Sequence, residues 1–185
     1  MATNSNELAL GTPAPAFTLP DVVSGRTLSL DEIAAGNPAL VMFLCRHCPY
    51  VKHVETQLAQ LARDHAGKKL SLVAISANDA EHYPEDAPPS LAEQARAAGF
   101  SFPYCYDESQ AVARAYRAVC TPEFFLFDGS RKLAYHGQLD GSRPGNRAPL
   151  DGRDLRAAID AVLEGRPVAG PQRAAVGCSI KWKRG

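Results

Sequence analysis

The sequence predicts an α/β protein in which helices pack on a mixed β-sheet. A continuously apolar run at 39–44 (ALVMFL) is typical of a strand buried on both faces. Apolar positions then recur at helical spacing from Pro49 onward, and a second apolar strand follows at 70–76 (LSLVAIS). A strand, a helix and a strand in one sheet almost always form a right-handed parallel crossover, so these segments predict the parallel part of the sheet.

Length, composition and charge are those of one ordinary globular domain. The 185 residues are 45% hydrophobic, and 20 Lys and Arg balance 20 Asp and Glu. Balanced charge argues against a nucleic-acid partner or a membrane surface, and no run approaches the ~20 apolar residues of a membrane span. The first residues, MATNSNELAL, lack a signal-peptide pattern, so we expect a cytoplasmic protein. We treat 1–185 as a single domain with its core over about 11–164 and a C-terminal tail at 165–185.

The elements of the first half each have a local signal. Residues 17–30 alternate apolar and polar positions around a Ser-Gly turn, which predicts an N-terminal β-hairpin. Ser90 and Glu93 have the spacing of a capping box and predict a short helix that ends near Gly99. A short strand is then expected at 101–106.

The second half continues the pattern. Asp107 has capping spacing for another short helix. The runs at 123–127 (EFFLF) and 132–136 (KLAYH) flank a turn and predict an antiparallel hairpin. Asp151 or Asp154 is expected to cap the last helix. The order of elements predicts an α/β sandwich with a mixed sheet.

Two cysteines separated by two residues directly follow the first buried strand. A sulfur at the N-terminus of a helix faces unpaired backbone N–H groups, which favour the thiolate. Arg46 and His47 lie between the cysteines and add positive charge, so we expect the pKa of Cys45 to fall below the free value of about 8.5. Pro49, directly after Cys48, suits the first helical turn because it has no N–H to leave unpaired.

This spacing indicates a reversible dithiol/disulfide pair, because the second thiol can displace a mixed disulfide formed on the first. A structural zinc site would need another ligand pair at similar spacing, whereas Cys105, Cys120 and Cys178 are isolated. Cys120 could exchange with a substrate disulfide or be a small buried hydrophobe. Cys178 could be a second resolving thiol or an unreactive tail cysteine. The chain has no glycine-rich phosphate loop, so we predict no nucleotide cofactor. Because the other cysteines are isolated, we predict no bound metal either.

A dithiol after the first core strand, with Thr121-Pro122 just before the third, resembles the thioredoxin fold. The segments APAFTLPDVVSGRTLSL and FPYCYDESQAVARAYRAVCTPEFFLFD resemble the peroxiredoxin-like branch of that superfamily, the AhpC/TSA or redoxin type. The phrases HCPYVKH and GCSIKWK are similar to one peroxiredoxin-like subgroup of that branch. The resemblance implies a three-layer α/β/α sandwich with a peroxiredoxin-type insertion.

The resemblance also implies roles for the site residues. Cys45 would be the exposed attacking thiol and Cys48 the resolving one. Pro122 would be cis, and its loop would offer backbone hydrogen bonds to substrate through Thr121. The chain departs from the peroxiredoxin signature Pro-x-x-x-Thr/Ser-x-x-Cys, because Cys45 stands in the Thr position and Val41 in the Pro position.

We therefore predict a thiol-disulfide oxidoreductase that cycles Cys45 and Cys48, with protein or small-molecule thiols and disulfides as its partners. One alternative is a thiol peroxidase with an antioxidant role, in which Cys48 attacks a peroxide and Cys45 resolves it. Another is a Cu(I)-binding chaperone of the thioredoxin fold, which would require His136 to approach the cysteine pair. The sequence specifies neither the reductant nor the oligomeric state.

Overall fold

The structure, a computed structural model, describes residues 2–184 and contains ten strands and five α-helices within them. The strands are β1 (Ala2–Asn4), β2 (Thr18–Pro20), β3 (Thr27–Ser29), β4 (Ala39–Phe43), β5 (Ser71–Ser76), β6 (Tyr104–Tyr106), β7 (Cys120–Thr121), β8 (Glu123–Phe127), β9 (Leu133–Gly137) and β10 (Val176–Ser179). The helices are α1 (Leu30–Ala34), α2 (Pro49–Asp64), α3 (Pro88–Ala98), α4 (Ala111–Ala115) and α5 (Arg153–Leu163).

A five-stranded mixed sheet forms the centre of the molecule, in the order β6-β5-β4-β8-β9. Strands β4, β5 and β6 are parallel, whereas β8 and β9 are antiparallel to their neighbours. The predicted parallel crossover from β4 to β5 and the predicted hairpin of β8 and β9 are both confirmed. Between β5 and β8 the chain adds the edge strand β6 with α3 and α4, which corresponds to the expected insertion.

The central strand β4 is buried on both faces, as its apolar run predicts. Leu40 and Met42 pack on one face in a core cluster that also contains residues of α2, α3 and α5. Val41 and Phe43 pack on the other face with residues of α1 and α4. Successive side chains of a strand point to opposite faces, so one five-residue strand joins the two layers of helices.

Helix α3 begins three residues earlier than the capping-box spacing predicts. Its first residue is Pro88 and its N-cap is Ala87, which makes no side-chain cap hydrogen bond. A proline in the first turn has no N–H to satisfy, so Ser90 is not needed as a cap. The carbonyl oxygen of Ser90 instead accepts a hydrogen bond from Arg46.

The predicted cap of α5 is partly correct. The N-cap position is Gly152. Asp151, one residue earlier, accepts a hydrogen bond from the backbone N–H of Arg153 at 3.1 Å. The predicted strand at 101–106 is confined to Tyr104–Tyr106.

The C-terminal segment joins a second, three-stranded sheet with the order β1-β10-β7. Strand β10 is antiparallel to β7, with Cys178 opposite Thr121 and Ser179 opposite Cys120. Gly177 makes this approach possible, because a Cβ atom at this position would lie 1.9 Å from the carbonyl oxygen of Thr121. The pairing brings the end of the chain onto the loop that precedes β8.

We expect Gly177→Ala to lower the free energy of unfolding by about 1–3 kcal/mol, because β10 and the Thr121 loop must separate to admit the methyl group. Gly129→Ala is the matched control, since its Cβ would meet no atom closer than 3.9 Å. Urea denaturation of both variants measures the difference. Equal midpoints for the two variants would contradict the close packing of β10.

Candidate active site

The two motif cysteines lie where β4 ends and α2 begins, and Thr121 contacts both of them. The Cys45 sulfur is 3.1 Å from the Thr121 hydroxyl oxygen. The Cys48 thiol donates a hydrogen bond of 3.2 Å to the Thr121 carbonyl oxygen. The Thr121-Pro122 peptide bond is cis. The predicted contact between a cis-proline loop and the cysteine pair is therefore confirmed.

The expectation that Cys45 is the exposed thiol is wrong. Cys45 and Cys48 both have an exposed fraction of 0%. Helix α2 begins at Pro49, as predicted, so its N-cap residue is Cys48. Cys45 lies three residues before that position and is enclosed by the Thr121 loop.

The two thiols differ strongly in acidity. The Cys45 thiol hydrogen-bonds to Cys48 and lowers the pKa of Cys48 to about 5 against the opposing effect of burial, with smaller contributions from Cys178 and Val51. The pKa of Cys45 is raised by the same hydrogen bond, by burial and by the negative charge of Asp86. The predicted low pKa for Cys45 is therefore wrong, and Cys48 is the thiol that ionises first.

Asp86 is one reason why the residues between the cysteines do not lower the pKa of Cys45, beside the hydrogen bond to Cys48 and burial. This fully buried carboxylate accepts hydrogen bonds from the backbone N–H groups of Arg46 and His47 at 2.7 and 3.1 Å. It also bonds the His47 ring at 2.5 Å and the Asn78 amide at 2.8 Å. Although burial alone would raise the pKa of Asp86, the hydrogen bonds from His47 and Asn78 lower it. A negative charge thus stands beside the Cys45 loop.

The positive charges of the motif are paired with acidic groups. The Arg46 guanidinium forms a 2.8 Å ion pair with Glu93. The hydrogen bond to Asp86 raises the pKa of His47. The His47 ring also stacks on Tyr83, with 5.6 Å between centroids. Both side chains hold the Cys45–Cys48 loop in place through their partners.

Gln94, on α3, is a supporting residue that the sequence patterns did not indicate. Its amide donates hydrogen bonds to the Cys45 carbonyl oxygen at 3.3 Å and to Glu55 at 2.6 Å. The Tyr104 hydroxyl donates to the Gln94 oxygen at 3.3 Å. Asp86 was missed as well, and the one sequence signal for it is a polar loop directly after a buried strand.

The remaining candidate cysteines differ in their surroundings. Cys178 is partly exposed and packs against the core cluster that contains Cys45 and Cys48. Burial and its contact with Cys48 raise the pKa of Cys178 to about 11. Cys120 is fully buried, its sulfur lies 3.6 Å from a Glu123 carboxylate oxygen, and burial together with Glu123 raises its pKa.

One group of candidate metal ligands among the described residues lies at the site itself. Cys45, His47 and Asp86 bring a sulfur, a nitrogen and an oxygen within 4.8 Å of one another. His47 and Asp86 already hydrogen-bond to each other, and Cu(I) prefers thiolate ligands to carboxylates, so this group is not a typical copper site. His136 bonds Glu123 at 2.8 Å and stacks on Phe125, so the copper hypothesis gains no support from its position.

A buried dithiol at a strand–helix junction, facing a cis-proline loop on this mixed sheet, defines a protein of the thioredoxin fold. Residues 10–136 match the AhpC/TSA family, and the chain belongs to that family. The resemblance of the sequence motifs to the peroxiredoxin-like branch is thus confirmed at the level of the family.

Two solved structures match almost the whole chain. An uncharacterized conserved protein from Geobacillus kaustophilus is 49% identical with a TM-score of 0.97, and the match covers 100% of this chain and 98% of that one. A hypothetical protein from Sinorhizobium meliloti is 46% identical with a TM-score of 0.96, covering 99% and 100%. A thiol:disulfide interchange protein from Chlorobium tepidum, 20% identical with a TM-score of 0.62 over 85% of this chain and 99% of its own, shows the fold alone.

A search of curated proteins gives no significant match. Within residues 2–184, none of the helices has the length and apolar character required to cross a membrane.

The hydrogen bond from Cys45 is expected to control the acidity of Cys48. In the unmodified protein the Cys48 thiol should predominate below about pH 5 and the thiolate above it. Cys45→Ala removes the donor and should move this midpoint upward, whereas Cys45→Ser keeps a hydroxyl donor and should move it less. Thiolate absorbance and peptide-resolved alkylation against pH measure the midpoints. An unchanged midpoint in Cys45→Ala would contradict the assignment.

Proposed function

We propose that the protein is a thiol-disulfide oxidoreductase in which Cys45 and Cys48 cycle between dithiol and disulfide. The observation that carries this proposal is that Thr121 contacts both sulfurs, at 3.1 and 3.2 Å, while one thiol of the pair is acidic and the other is not. A dithiol enzyme needs one thiolate to attack and one thiol kept in reserve, and this pair has that division.

The acidities assign the roles within the pair. The Cys48 thiolate attacks a substrate disulfide, which forms a mixed disulfide and releases one substrate thiolate. Cys45 then gives its proton to a leaving thiolate and attacks the Cys48 sulfur. The Cys45–Cys48 bond forms, the mixed disulfide breaks, and the substrate leaves with both electrons. These roles are the reverse of those that the family resemblance implied.

The surrounding residues support this cycle in different ways. Asp86 fixes the backbone between the cysteines through the N–H groups of Arg46 and His47. A small cleft lies beside Pro122 and is lined by Tyr50 and His53, among others. Protein and small-molecule disulfides are the substrate class that such a dithiol/disulfide cycle would use.

Peroxide reduction is a second candidate, and the acidity of Cys48 favours it. Cys48 occupies the position of the attacking cysteine in the peroxiredoxin signature, and a peroxide is small enough to reach a buried sulfur. The thiolate would take one peroxide oxygen to become a sulfenic acid, with water or an alcohol leaving. Cys45 would then displace water from that sulfenic acid and form the same Cys45–Cys48 disulfide.

Single cysteine variants in a Cys178→Ser background test both reactions. With glutathione disulfide as substrate, Cys45→Ser should retain a mixed disulfide on Cys48, whereas Cys48→Ser should retain none. With hydrogen peroxide, a sulfenic acid trapped on Cys48 in Cys45→Ser would support the peroxidase. Intact-protein and peptide mass spectrometry reads both products.

Cys105→Ala is the matched control, because Cys105 packs in the other core cluster. It should form the Cys45–Cys48 disulfide at the unmodified rate. A mixed disulfide that accumulates on Cys45 in Cys48→Ser would overturn the assigned roles. Failure of the unmodified protein to form the Cys45–Cys48 disulfide with either oxidant would overturn the proposed function itself.

A further inference from the structure

A reductant in solvent has limited access to the buried cysteine pair, whereas a third thiol, Cys178, is partly exposed. Cys45 and Cys48 are fully buried, as are Cys105 and Cys120. All five cysteines lie within the described residues, and Cys178 alone among them is partly exposed. A reductant that approaches from solvent therefore meets Cys178 more readily than either sulfur of the pair.

The backbone places Cys178 next to the pair. In the β10–β7 pairing, Cys178 lies opposite Thr121, whose carbonyl oxygen accepts the hydrogen bond from Cys48. Gly177 lets β10 come so close that a side chain there would collide with the same carbonyl group. Cys178 also packs against the core cluster that contains both motif cysteines. One residue of the cis-proline loop therefore lies beside all three thiols.

We propose that Cys178 is a third redox thiol, which receives the disulfide from the buried pair and presents it to reductants at the surface. The proposal rests on the redox cycle of Cys45 and Cys48 proposed above. Its substrate class is an external dithiol, of a small molecule or a protein, that attacks the Cys178 sulfur.

The transfer and the reduction that follows it proceed by three balanced exchanges. Cys178 loses its proton and attacks the Cys48 sulfur of the Cys45–Cys48 disulfide. The Cys48–Cys178 bond forms, the Cys45–Cys48 bond breaks, and Cys45 leaves as a thiolate that takes up a proton. The external dithiol then attacks the Cys178 sulfur, a mixed disulfide forms on Cys178, and Cys48 leaves as a thiolate. The second external thiol attacks the first external sulfur, the external disulfide forms, and Cys178 leaves as a thiolate that takes up a proton. The dithiol is oxidised by two electrons, and the protein disulfide is reduced.

The charges around Cys178 favour its attack on the Cys45–Cys48 disulfide. When Cys48 is part of a disulfide it carries no charge, so its contribution to the raised pKa of Cys178 disappears. The positive charge of Lys181 also favours the Cys178 thiolate. Its ammonium group is held at 2.8 Å from the Ser179 carbonyl oxygen, on the same strand end.

Cys45→Ser tests the transfer directly, because it leaves Cys48 and Cys178 as the two neighbouring thiols. After treatment with glutathione disulfide, peptide mapping without reduction should find a Cys48–Cys178 disulfide. The double variant Cys45→Ser/Cys178→Ser should instead keep the mixed disulfide on Cys48. A mixed disulfide that persists in Cys45→Ser, with Cys178 free for alkylation, would overturn the proposal.

Rates in the otherwise unmodified protein provide a second test. Cys178→Ser should slow reduction of the Cys45–Cys48 disulfide by dithiothreitol about tenfold, since attack must then occur on a buried sulfur. Cys178→Ala should behave like Cys178→Ser, and the control Cys105→Ala should not slow reduction. Equal rates in all proteins would overturn the relay while leaving the proposed Cys45–Cys48 cycle intact. Absence of the Cys45–Cys48 disulfide in the unmodified protein would instead overturn both.

Discussion

Thr121 is the residue on which the arrangement of the site depends. Its hydroxyl and carbonyl oxygens lie within 3.2 Å of the two motif sulfurs, and its backbone pairs with Cys178. Glu123 holds this loop in place, because its buried carboxylate accepts hydrogen bonds from the backbone N–H groups of Val119 and Cys120. Because Glu123 also begins β8, the position of Thr121 follows from the central sheet. The sheet, the loop and the C-terminal strand therefore form one support for the thiols.

Two buried carboxylates satisfy the irregular backbone around the site, and one of them also sets its charge. Glu123 holds the proline loop, and Asp86 holds the segment between the motif cysteines. Backbone N–H groups outside helices and sheets need such acceptors when they are buried. The hydrogen bond to Cys48, burial and the charge of Asp86 together raise the pKa of Cys45, so the pair carries a single thiolate, on Cys48. Asp86 thus stabilises the local backbone and also affects the acidity of the thiol pair.

Periodicity and turn chemistry predicted the central sheet and the helix after the motif, because those signals are local. The cis-proline contact was implied instead by the resemblance to the thioredoxin fold. The β1–β10 pairing escaped prediction because it joins Ala2 to Cys178 through strands of three and four residues, which are too short to show a pattern. The acidity of the pair was assigned to the wrong thiol for a similar reason. Asp86 lies 40 residues beyond Arg46 in the sequence, and only the folded chain brings its charge to the loop.

The acidity of Cys48 also bears on the direction of electron flow. A thiolate that is stabilised in the reduced protein makes the corresponding disulfide a stronger oxidant, because reduction then releases that stabilised group. A sulfur of low pKa is also the better leaving group, although it is the weaker nucleophile. Attack on Cys45, or on Cys178 after a transfer, releases the same Cys48 thiolate. Both routes of reduction therefore end on the group that Cys45, Cys178 and the start of α2 stabilise, which favours the half of the cycle in which the oxidised protein accepts electrons from thiols.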